Sequence, residues 1–177
     1  DSLLISFAAG KSTSFIQSLS GRNRVIRVMP NTPTLVGEGM AAFSATEGVQ
    51  DGDKKFVRDF LSAAGKVIEV PESLQDAVTA TSGSGPAYFF AFVEAMIEGA
   101  KALGLSAEDA TTLTVQTIVG SGKLLAESGK SATTLRENVT SPNGTTAAAL
   151  ASFNESGLRD AVAKAMAAAF KRSQELG

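Results

Sequence analysis

The 177-residue sequence contains no cysteine, no histidine and no tryptophan. Without cysteine there is neither a disulfide framework nor a thiol nucleophile, which fits a reducing compartment. Without histidine or cysteine, ordinary zinc sites and the Ser-His and Cys-His catalytic arrangements are excluded. Any chemistry therefore relies on hydroxyls, carboxylates, lysines, arginines, backbone dipoles or a bound cofactor, and we predict no metal site.

The sequence also lacks a strong charge imbalance and a long apolar run. A formal net charge of −2 argues against nucleic acid or a membrane surface as a partner. No apolar stretch approaches the roughly 18 residues of a membrane span, since the richest, from Ala87 to Val93, is interrupted at Glu94. With 44% hydrophobic residues the chain can build a core. We expect a folded, cytoplasmic protein, although an organellar location stays open.

The first 70 residues alternate between predicted strands and predicted helices. Strands are predicted over residues 3–8, 24–29, 40–45 and 66–70, and helices over residues 12–19 and 51–63. Such alternation is typical of a doubly wound α/β sheet. Because a buried strand needs neighbours on both sides, a chain that opens in one is expected to lack a preceding part of its domain.

After Pro71 every predicted element is a helix, so the domain boundary is predicted between residues 1–71 and residues 72–177. Helices are predicted over residues 72–82, 86–103, 106–127, 145–154 and 158–176, with a short turn over residues 133–139. The helix over residues 86–103 is apolar nearly all round, which predicts full burial. A bundle this small cannot surround it alone, so we predict a homodimer through the helical half.

A turn rich in Ser, Pro, Asn and Gly leads from Val139 into the predicted helix start near Thr145. Helix starts leave several backbone N–H groups unpaired and carry the positive end of the peptide dipole. Such a turn can therefore hold a small carboxylate or phosphate. The plainer interpretation is an N-capping turn that only joins two helices, and the residues leave both open.

Two further segments have a plain and a functional interpretation. The loop Met29-Pro30-Asn31-Thr32-Pro33 is either a rigid exit from a strand or part of a ligand crevice at the carboxyl end of the sheet. The segment Gly37–Ala42 matches a Gly-x-Gly-x-x-Ala dinucleotide fingerprint, but it follows a proline and leads into a strand. We interpret it as a plain turn, because the fingerprint must follow a strand and open a helix.

Taken together, these segments resemble the pyrroline-5-carboxylate reductase family. The resemblance covers essentially the whole chain, and its last long block satisfies the family signature along its length. The blocks that carry it are Ile5–Gly10, Arg24–Pro33, Ser82–Tyr88, Leu135–Asn154 and the ending Lys171–Leu176. The resemblance implies the end of a Rossmann-like NAD(P)-binding domain followed by an all-α dimerisation and substrate-binding domain. It also implies that the strand, Gly-rich turn and helix with which family members start are missing from this sequence.

The resemblance implies reduction of Δ1-pyrroline-5-carboxylate to L-proline, the last step of proline biosynthesis. Hydride would pass from C4 of NADPH or NADH to the imine carbon. The residues implied for the substrate carboxylate are Ser141, Asn143, Gly144, Thr145 and Thr146. Thr146 is the implied catalytic residue, since it corresponds to the family hydroxyl near the substrate ring nitrogen. Asn143 departs from many relatives, which have a second glycine there, but Asn tolerates left-handed geometry.

The same resemblance implies a cofactor surface in the first part of the chain. The residues implied to lie beside the nicotinamide are Ala8, Ala9, Met29, Pro30, Asn31 and Thr32. Family dimers interlock through their helical domains, and the resemblance leaves open whether dimers form a larger ring. Two other functions stay open: a non-catalytic dimerising fragment of such an enzyme, and a related imine or ketoacid reductase on the same scaffold.

Overall fold

A computed structural model describes residues 2–177, and its first part is a four-stranded sheet. The strands β1, β2, β3 and β4 lie side by side in chain order; they span Leu4–Ser6, Val25–Met29, Gly39–Ala45 and Gly65–Glu69. β1 pairs with β2 in parallel and β3 with β4 in parallel, whereas β2 and β3 are antiparallel. The predicted fold class, an α/β remnant followed by helices, is confirmed. The antiparallel pair at the centre was not part of the prediction.

Two helices provide the crossovers between the parallel strands. Helix α1, Thr13–Ser20, follows β1, and its first turn is capped by the Ser12 hydroxyl, which accepts the Phe15 N–H. Helix α2, Asp51–Ser62, follows β3 and opens with a capping box between Gln50 and Asp53. Parallel pairing requires such crossovers, so local capping and sheet topology agree.

The core of this part lies between the two central strands and α2. Val25, Ile26 and Val28 of β2 are fully or almost fully buried, as are Phe43 of β3 and Val57 of α2. At roughly 1.5–3 kcal/mol for each large apolar side chain removed from water, these residues supply much of the stabilisation of the sheet. Partly buried hydrophobic side chains surround this cluster; they include Leu3, Ile5, Leu61 and Val67.

The segment after β4 changes its helical pitch twice. A single helix was predicted over residues 72–82, but the chain forms a 3-10 turn over Glu72–Leu74, helix α3 over Gln75–Val78 and a π-helical turn over Thr79–Gly83. The wide last turn is closed by the Ser84 N–H, which donates to the Thr79 carbonyl at 2.8 Å. Turns of this kind are rare and cluster at functional sites.

The remaining chain is helical, in agreement with the predicted order of elements. The helices are α4 over Gly85–Ala102, α5 over Ala107–Glu127, α6 over Ala132–Asn138, α7 over Thr145–Glu155 and α8 over Leu158–Leu176. The short turn predicted over residues 133–139 is thus a full helix, α6. The chain groups into two compact units. The sheet unit comprises the residues up to Ala87 together with Ala163–Gly177, and the helical unit comprises Tyr88–Val162.

The helical unit buries very little of its apolar surface within one chain. Between residues 88 and 162 only Ala110 and Thr114 are buried, and Phe89 and Phe90 of α4 are each 63% exposed. The predicted full burial of α4 is therefore not met in a single chain. Phe92 of α4 does pack against Phe153 of α7, with ring centroids 6.2 Å apart. Among residues 2–177, no helix is both long and apolar enough to cross a membrane.

Candidate functional site

The turn between α6 and α7 holds the residues predicted to bind the substrate carboxylate. Helix α7 begins at Thr145, as predicted, and Gly144 precedes it in an extended conformation. Asn143 has φ of 58°, the left-handed region that asparagine tolerates better than most residues. The Gly144 N–H donates to the Ser141 carbonyl at 3.1 Å and closes the turn. The backbone thus doubles back immediately before the helix starts.

No side chain caps the start of α7, which distinguishes it from three other helices. Serine hydroxyls cap α1, α5 and α6, where Ser12, Ser106 and Ser131 accept backbone N–H groups. The first backbone hydrogen bond at the start of α7 runs from the Ala148 N–H to the Gly144 carbonyl. The N–H groups before it have no intrahelical partner. The interpretation of this turn as a hydroxyl cap is therefore wrong, and the free N–H groups are left for water or a ligand.

The residues of the turn differ in exposure, and Gly144 lies close to Ser141. A Cβ atom on Gly144 would meet the Ser141 hydroxyl oxygen, and the Ser141 side chain would have to rotate to make room for it. Ser141, Asn143 and Thr145 are exposed, whereas Thr146 is half-buried. A cavity of about 410 Å³ lies in the helical unit, but none of the residues predicted to bind the carboxylate lines it. It is lined by Arg136, Glu137, Thr140, Leu150, Asn154 and Arg159.

The residues predicted to contact the nicotinamide lie at one edge of the sheet. Ala8 and Ala9 follow β1, and Met29 ends β2, with Ser6 of β1 in register with Arg27 of β2. Because these two strands are parallel, their carboxyl ends meet at the same edge. Ligands of open α/β sheets bind outside the carboxyl ends of the strands. The sheet therefore brings both parts of the predicted cofactor surface together.

The loop after β2 is held in place by the side chain of Asn31. Its amide nitrogen donates to the Ser82 carbonyl at 3.1 Å, and its amide oxygen accepts the Met40 N–H at 2.8 Å. The Met29 side chain closely covers the Cα of Gly83. These contacts agree with a rigid exit from the strand. They do not exclude the second interpretation, a ligand crevice, because a binding surface can also be rigid. A cavity of about 380 Å³ opens here, lined by Pro30, Asn31, Thr32, Thr34, Leu35 and Gly83.

The Gly-x-Gly segment at Gly37–Ala42 is a plain turn, as predicted. Gly37 has φ of 76° and ends a 3-10 turn over Thr32–Val36, and β3 starts at Gly39. No helix follows the motif, so its N–H groups do not form the phosphate-binding start of a helix. Among residues 2–177, no group of three or more acidic side chains could hold a metal ion.

A buried charge network in the sheet unit escaped the sequence analysis. The Arg27 side chain, only 6% exposed, lies 3.5 Å from a Glu72 carboxylate oxygen and 3.8 Å from one of Asp76. Glu72 accepts the backbone N–H of Thr13 at 2.6 Å and also its hydroxyl. The hydroxyl of Ser173, in α8, donates to Asp76 at 2.6 Å. The sequence did contain one signal of this network, because Arg27 is the single charged residue in the otherwise apolar strand Val25–Met29.

One titratable group in the sheet unit is clearly perturbed. Asp53 accepts hydrogen bonds from the Arg24 guanidinium at 2.6 and 2.7 Å and from the Gln50 N–H at 3.0 Å. The Arg24 hydrogen bonds, helped by the Gln50 N–H and the positive charge of Arg24, hold the pKa of Asp53 below its ordinary value. Asp53 lies in the first turn of α2 and contributes to folding rather than to the candidate site.

Comparison with known proteins gives a consistent result. The family model for the pyrroline-5-carboxylate reductase dimerisation domain matches residues 72–176. A pyrroline-5-carboxylate reductase of Synechocystis is 43% identical over 175 residues, which cover 99% of this chain and 66% of the relative. The chain thus spans just under two thirds of the length of such curated relatives and matches their carboxyl-terminal part.

Solved structures agree with the sequence matches. A pyrroline-5-carboxylate reductase from Coxiella burnetii is 40% identical and superposes with a TM-score of 0.94. The match covers 99% of this chain and 66% of that one. A Plasmodium falciparum pyrroline carboxylate reductase, solved with NADP bound, is 36% identical with a TM-score of 0.92. That match covers 99% of this chain and 71% of the neighbour.

Proposed function

Since the chain belongs to the pyrroline-5-carboxylate reductase family, we propose that it takes part in the reduction of Δ1-pyrroline-5-carboxylate to L-proline by NADPH or NADH. The observation that carries this proposal is the 43% identity to a reductase across 99% of the chain. Such identity extends over both the sheet edge and the α7 turn. The reaction is the last step of proline biosynthesis, and we place it in the cytoplasm.

We assign the two halves of the sequence to the two tasks of such an enzyme. Residues 1–71 form the cofactor-facing part of a Rossmann-like domain, and residues 72–177 form the dimerisation and substrate-binding domain. The start of the family match at residue 72 supports this division. The compact units follow a different division, because Ala163–Gly177 groups with the sheet.

The substrate carboxylate is assigned to the turn before α7. The turn residues Ser141, Asn143, Gly144 and Thr145 lie at the positive end of the helix dipole, where an anion is stabilised. The Gly144 N–H is already used by the Ser141 carbonyl, so the proposed donors are the other N–H groups around these residues. The absence of a side-chain cap on α7 supports this assignment, because a cap would compete with the ligand for the same donors.

Thr146 is assigned the catalytic position beside the substrate ring nitrogen. It is the second residue of α7, is half-buried, and directly follows the residues of the proposed carboxylate socket in the sequence. A threonine hydroxyl is too weak an acid to protonate an imine by itself. We therefore assign Thr146 to orientation and polarisation, while the imine nitrogen arrives protonated or takes its proton from water. Holding the reacting atoms in line can supply most of the acceleration.

The nicotinamide end of the cofactor is assigned to Ala8, Ala9 and the loop Met29-Pro30-Asn31-Thr32. The cavity beside Pro30–Thr32 and the small side chains of Ala8 and Ala9 fit a flat ring at the sheet edge. When bound, NADPH or NADH supplies the hydride that adds to the imine carbon. Because Asn31 is fixed by hydrogen bonds to Ser82 and Met40, this loop meets the ring without rearranging.

We propose that the chain forms a homodimer through the helical domain. The exposed apolar residues of α4 and α5 would be costly to leave in water, and the matching family model describes a dimerisation domain. Pairing of two copies would give Phe89 and Phe90 the burial that one chain does not provide. Sedimentation of the 177-residue chain tests both the dimer and the assembly of dimers into a ring.

The direct test is pyrroline-5-carboxylate-dependent oxidation of NADPH and NADH. The assay is run on the 177-residue chain and on a chimera in which this chain follows the amino-terminal third of the Synechocystis relative. We expect the chimera to turn over, with L-proline as the product. A folded, dimeric chimera that oxidises neither cofactor would overturn the proposal. Turnover with other cyclic imines but not this one would indicate a related imine reductase instead.

A further inference from the structure

The loop between β1 and α1, residues Phe7–Ser12, lies against the carboxyl-terminal end of α8 inside the sheet unit. Ala8 and Ala9 of this loop are exposed, whereas the next residue, Gly10, is buried. Within the loop, a single backbone bond joins the Lys11 N–H to the Ala8 carbonyl at 3.4 Å. A bond this long gives the loop little stiffness of its own. Its conformation therefore depends on what packs against it.

Gly10 is in direct contact with the end of α8. It has φ of 75°, and a Cβ atom on it would lie 2.8 Å from the Leu176 Cβ and 3.2 Å from the Leu176 carbonyl carbon. A Cβ on Gly177 would in turn lie 2.6 Å from the Gly10 carbonyl oxygen. Only a residue without a side chain fits between the loop and the helix end. The two backbones are therefore packed without a gap.

Lys11 supplies the cation that the end of α8 lacks. The last turn of α8 has no basic residue, yet its carbonyl groups carry the negative end of the helix dipole. The Lys11 ammonium donates to the Leu176 carbonyl at 2.7 Å. The same ammonium lies 5.1 Å from the centroid of the Phe15 ring, which restricts the lysine side chain. One residue of the loop thus caps a helix 165 positions away in the sequence.

A second anchor fixes the start of α1, which directly follows the loop. Ser173 of α8 is buried and donates to Asp76, and Asp76 shares Arg27 with Glu72. Glu72 then holds the backbone N–H of Thr13, the first residue of α1. The last turns of α8 therefore reach both ends of the segment that follows Ala8 and Ala9.

We propose that the carboxyl-terminal end of α8 positions the loop that contacts the nicotinamide, with Gly10 and Lys11 as the positioning residues. The inference rests on the proposed function for its cofactor role. Neither residue belongs to the substrate turn, and Ala8 and Ala9 offer only small side chains and backbone to a ligand. Affinity at this edge then depends on where the loop backbone lies. Loosening the end of α8 should weaken nicotinamide binding and leave the substrate turn unchanged.

The first measurement is amide hydrogen exchange of the peptide covering residues 7–12 in the 177-residue chain. Lys11→Met and a chain ending at Glu175 should each raise its exchange about five-fold, the order expected for one lost hydrogen bond. Lys130→Met is the matched control, because Lys130 is exposed and distant in sequence from this loop. Unchanged exchange in both Lys11→Met and the shortened chain would overturn the inference.

A pair of glycine variants separates contact with α8 from backbone strain. Gly10 and Gly21 both have positive φ, but a Cβ on Gly21 meets nothing within 4 Å. Gly10→Ala and Gly21→Ala therefore impose a similar conformational cost, and only the first pushes against Leu176. We expect only Gly10→Ala to raise exchange of residues 7–12. Equal effects of the two variants on this peptide would contradict a role for the contact.

The cofactor role is tested with reduced nicotinamide mononucleotide and L-proline as separate probes. NMR titration of the Ala8 and Ala9 amides should show an approximately five-fold weaker dissociation constant for the mononucleotide in Lys11→Met. The dissociation constant for L-proline, followed at Thr146, should not change. Equal weakening of both ligands would indicate a general structural defect and overturn the positioning role. If the unaltered chain binds neither probe, the assignment of the two binding sites to this chain fails, while activity of the chimera still tests the proposed function and the exchange data still decide whether α8 holds the loop.

Discussion

The sheet unit and the helical unit of this chain differ in how much apolar surface each buries within one chain. The sheet unit covers its own core, since Ile26, Val28 and Phe43 are 0–1% exposed. In the helical unit only Ala110 and Thr114 are buried, although its helices carry many large apolar residues. One unit therefore buries a core within a single chain, and the other has many apolar residues but does not enclose them. The comparison shows that a folded helix is not by itself a buried one.

The difference has a direct physical consequence for stability. Packing inside the sheet unit contributes at any protein concentration, because all its partners belong to one chain. Burial supplied by a second copy contributes only as far as dimers form, so it follows mass action. Stability of the two units should therefore respond differently to dilution.

The largest effect is expected from a charge placed on the apolar surface of α4. Phe89→Glu removes about 1.5–3 kcal/mol of burial per copy and so about 3–6 kcal/mol per proposed dimer. Analytical ultracentrifugation should show monomers, with a thermal transition that falls on dilution. Leu35→Glu is the matched control, because Leu35 is an 89% exposed apolar residue of the sheet unit. If Phe89→Glu sediments like the unaltered chain, the apolar surface of α4 is not the dimer contact.

A slightly smaller loss of stability is expected when one large side chain is removed from the core of the sheet unit. Phe43 is fully buried, and its ring lies 5.2 Å from the Arg58 guanidinium carbon. Phe43→Ala should cost roughly 3–5 kcal/mol of unfolding free energy. Chemical denaturation at several protein concentrations should give the same loss for the transition of the sheet unit. If the loss of unfolding free energy instead grows on dilution, the stability of the sheet unit also depends on dimer formation, and the proposed difference between the two units is wrong.

A third prediction concerns chemistry in the helical unit. In an active chimera, Thr146→Ala should lower kcat roughly 100-fold, the order measured when one well-placed hydrogen-bond donor is removed from a catalytic site. Thr111→Ala is the control, because that hydroxyl only donates to the Ala107 carbonyl within α5. Unchanged turnover in a folded Thr146→Ala protein would remove Thr146 from the mechanism.

The smallest effect is expected from acid acting on the sheet unit. The pKa of Asp53 is lowered in the folded chain, so the unfolded chain binds this proton more readily. The stabilisation is present above the unfolded value of about 3.9 and is lost as the pH falls through the lowered folded pKa. Asp53→Asn should therefore reduce the acid dependence of unfolding between about pH 5 and pH 2. Identical pH curves for the two proteins would contradict the role of the Arg24–Asp53 pair.

The sequence predicted the parts of this molecule that depend on local pattern. Alternating strands and helices, the start of α7 at Thr145 and the left-handed Asn143 follow from hydrophobic spacing and turn chemistry. The antiparallel pairing of β2 with β3 does not, because the 3-10 turn that reverses the chain has no unique signal. The missing cap on α7 was also invisible, since the same serine and asparagine residues commonly serve as caps.

Long-range polar contacts account for most of what the sequence analysis missed. The Arg27 network joins residues 13, 27, 72, 76 and 173, and no local window contains more than two of them. Lys11 and Leu176 are nearly the whole chain apart. Full burial of α4 was predicted from composition alone, and the single chain does not bury it because the helical unit covers only part of it, as where Phe92 packs against Phe153. The assignments of substrate and cofactor residues stay predictions.

The two outer strands of the sheet differ in a way that affects its capacity to grow. Each has a hydrogen-bonded neighbour on one side only, β2 for β1 and β3 for β4. Strand β4 carries Lys66 and Glu69, and charged residues on an edge discourage further pairing. Strand β1, Leu4-Ile5-Ser6, carries no charge. A fifth strand is therefore expected to pair with β1 rather than with β4. For the same reason, aggregation of the chain at high concentration is expected to start at the β1 edge.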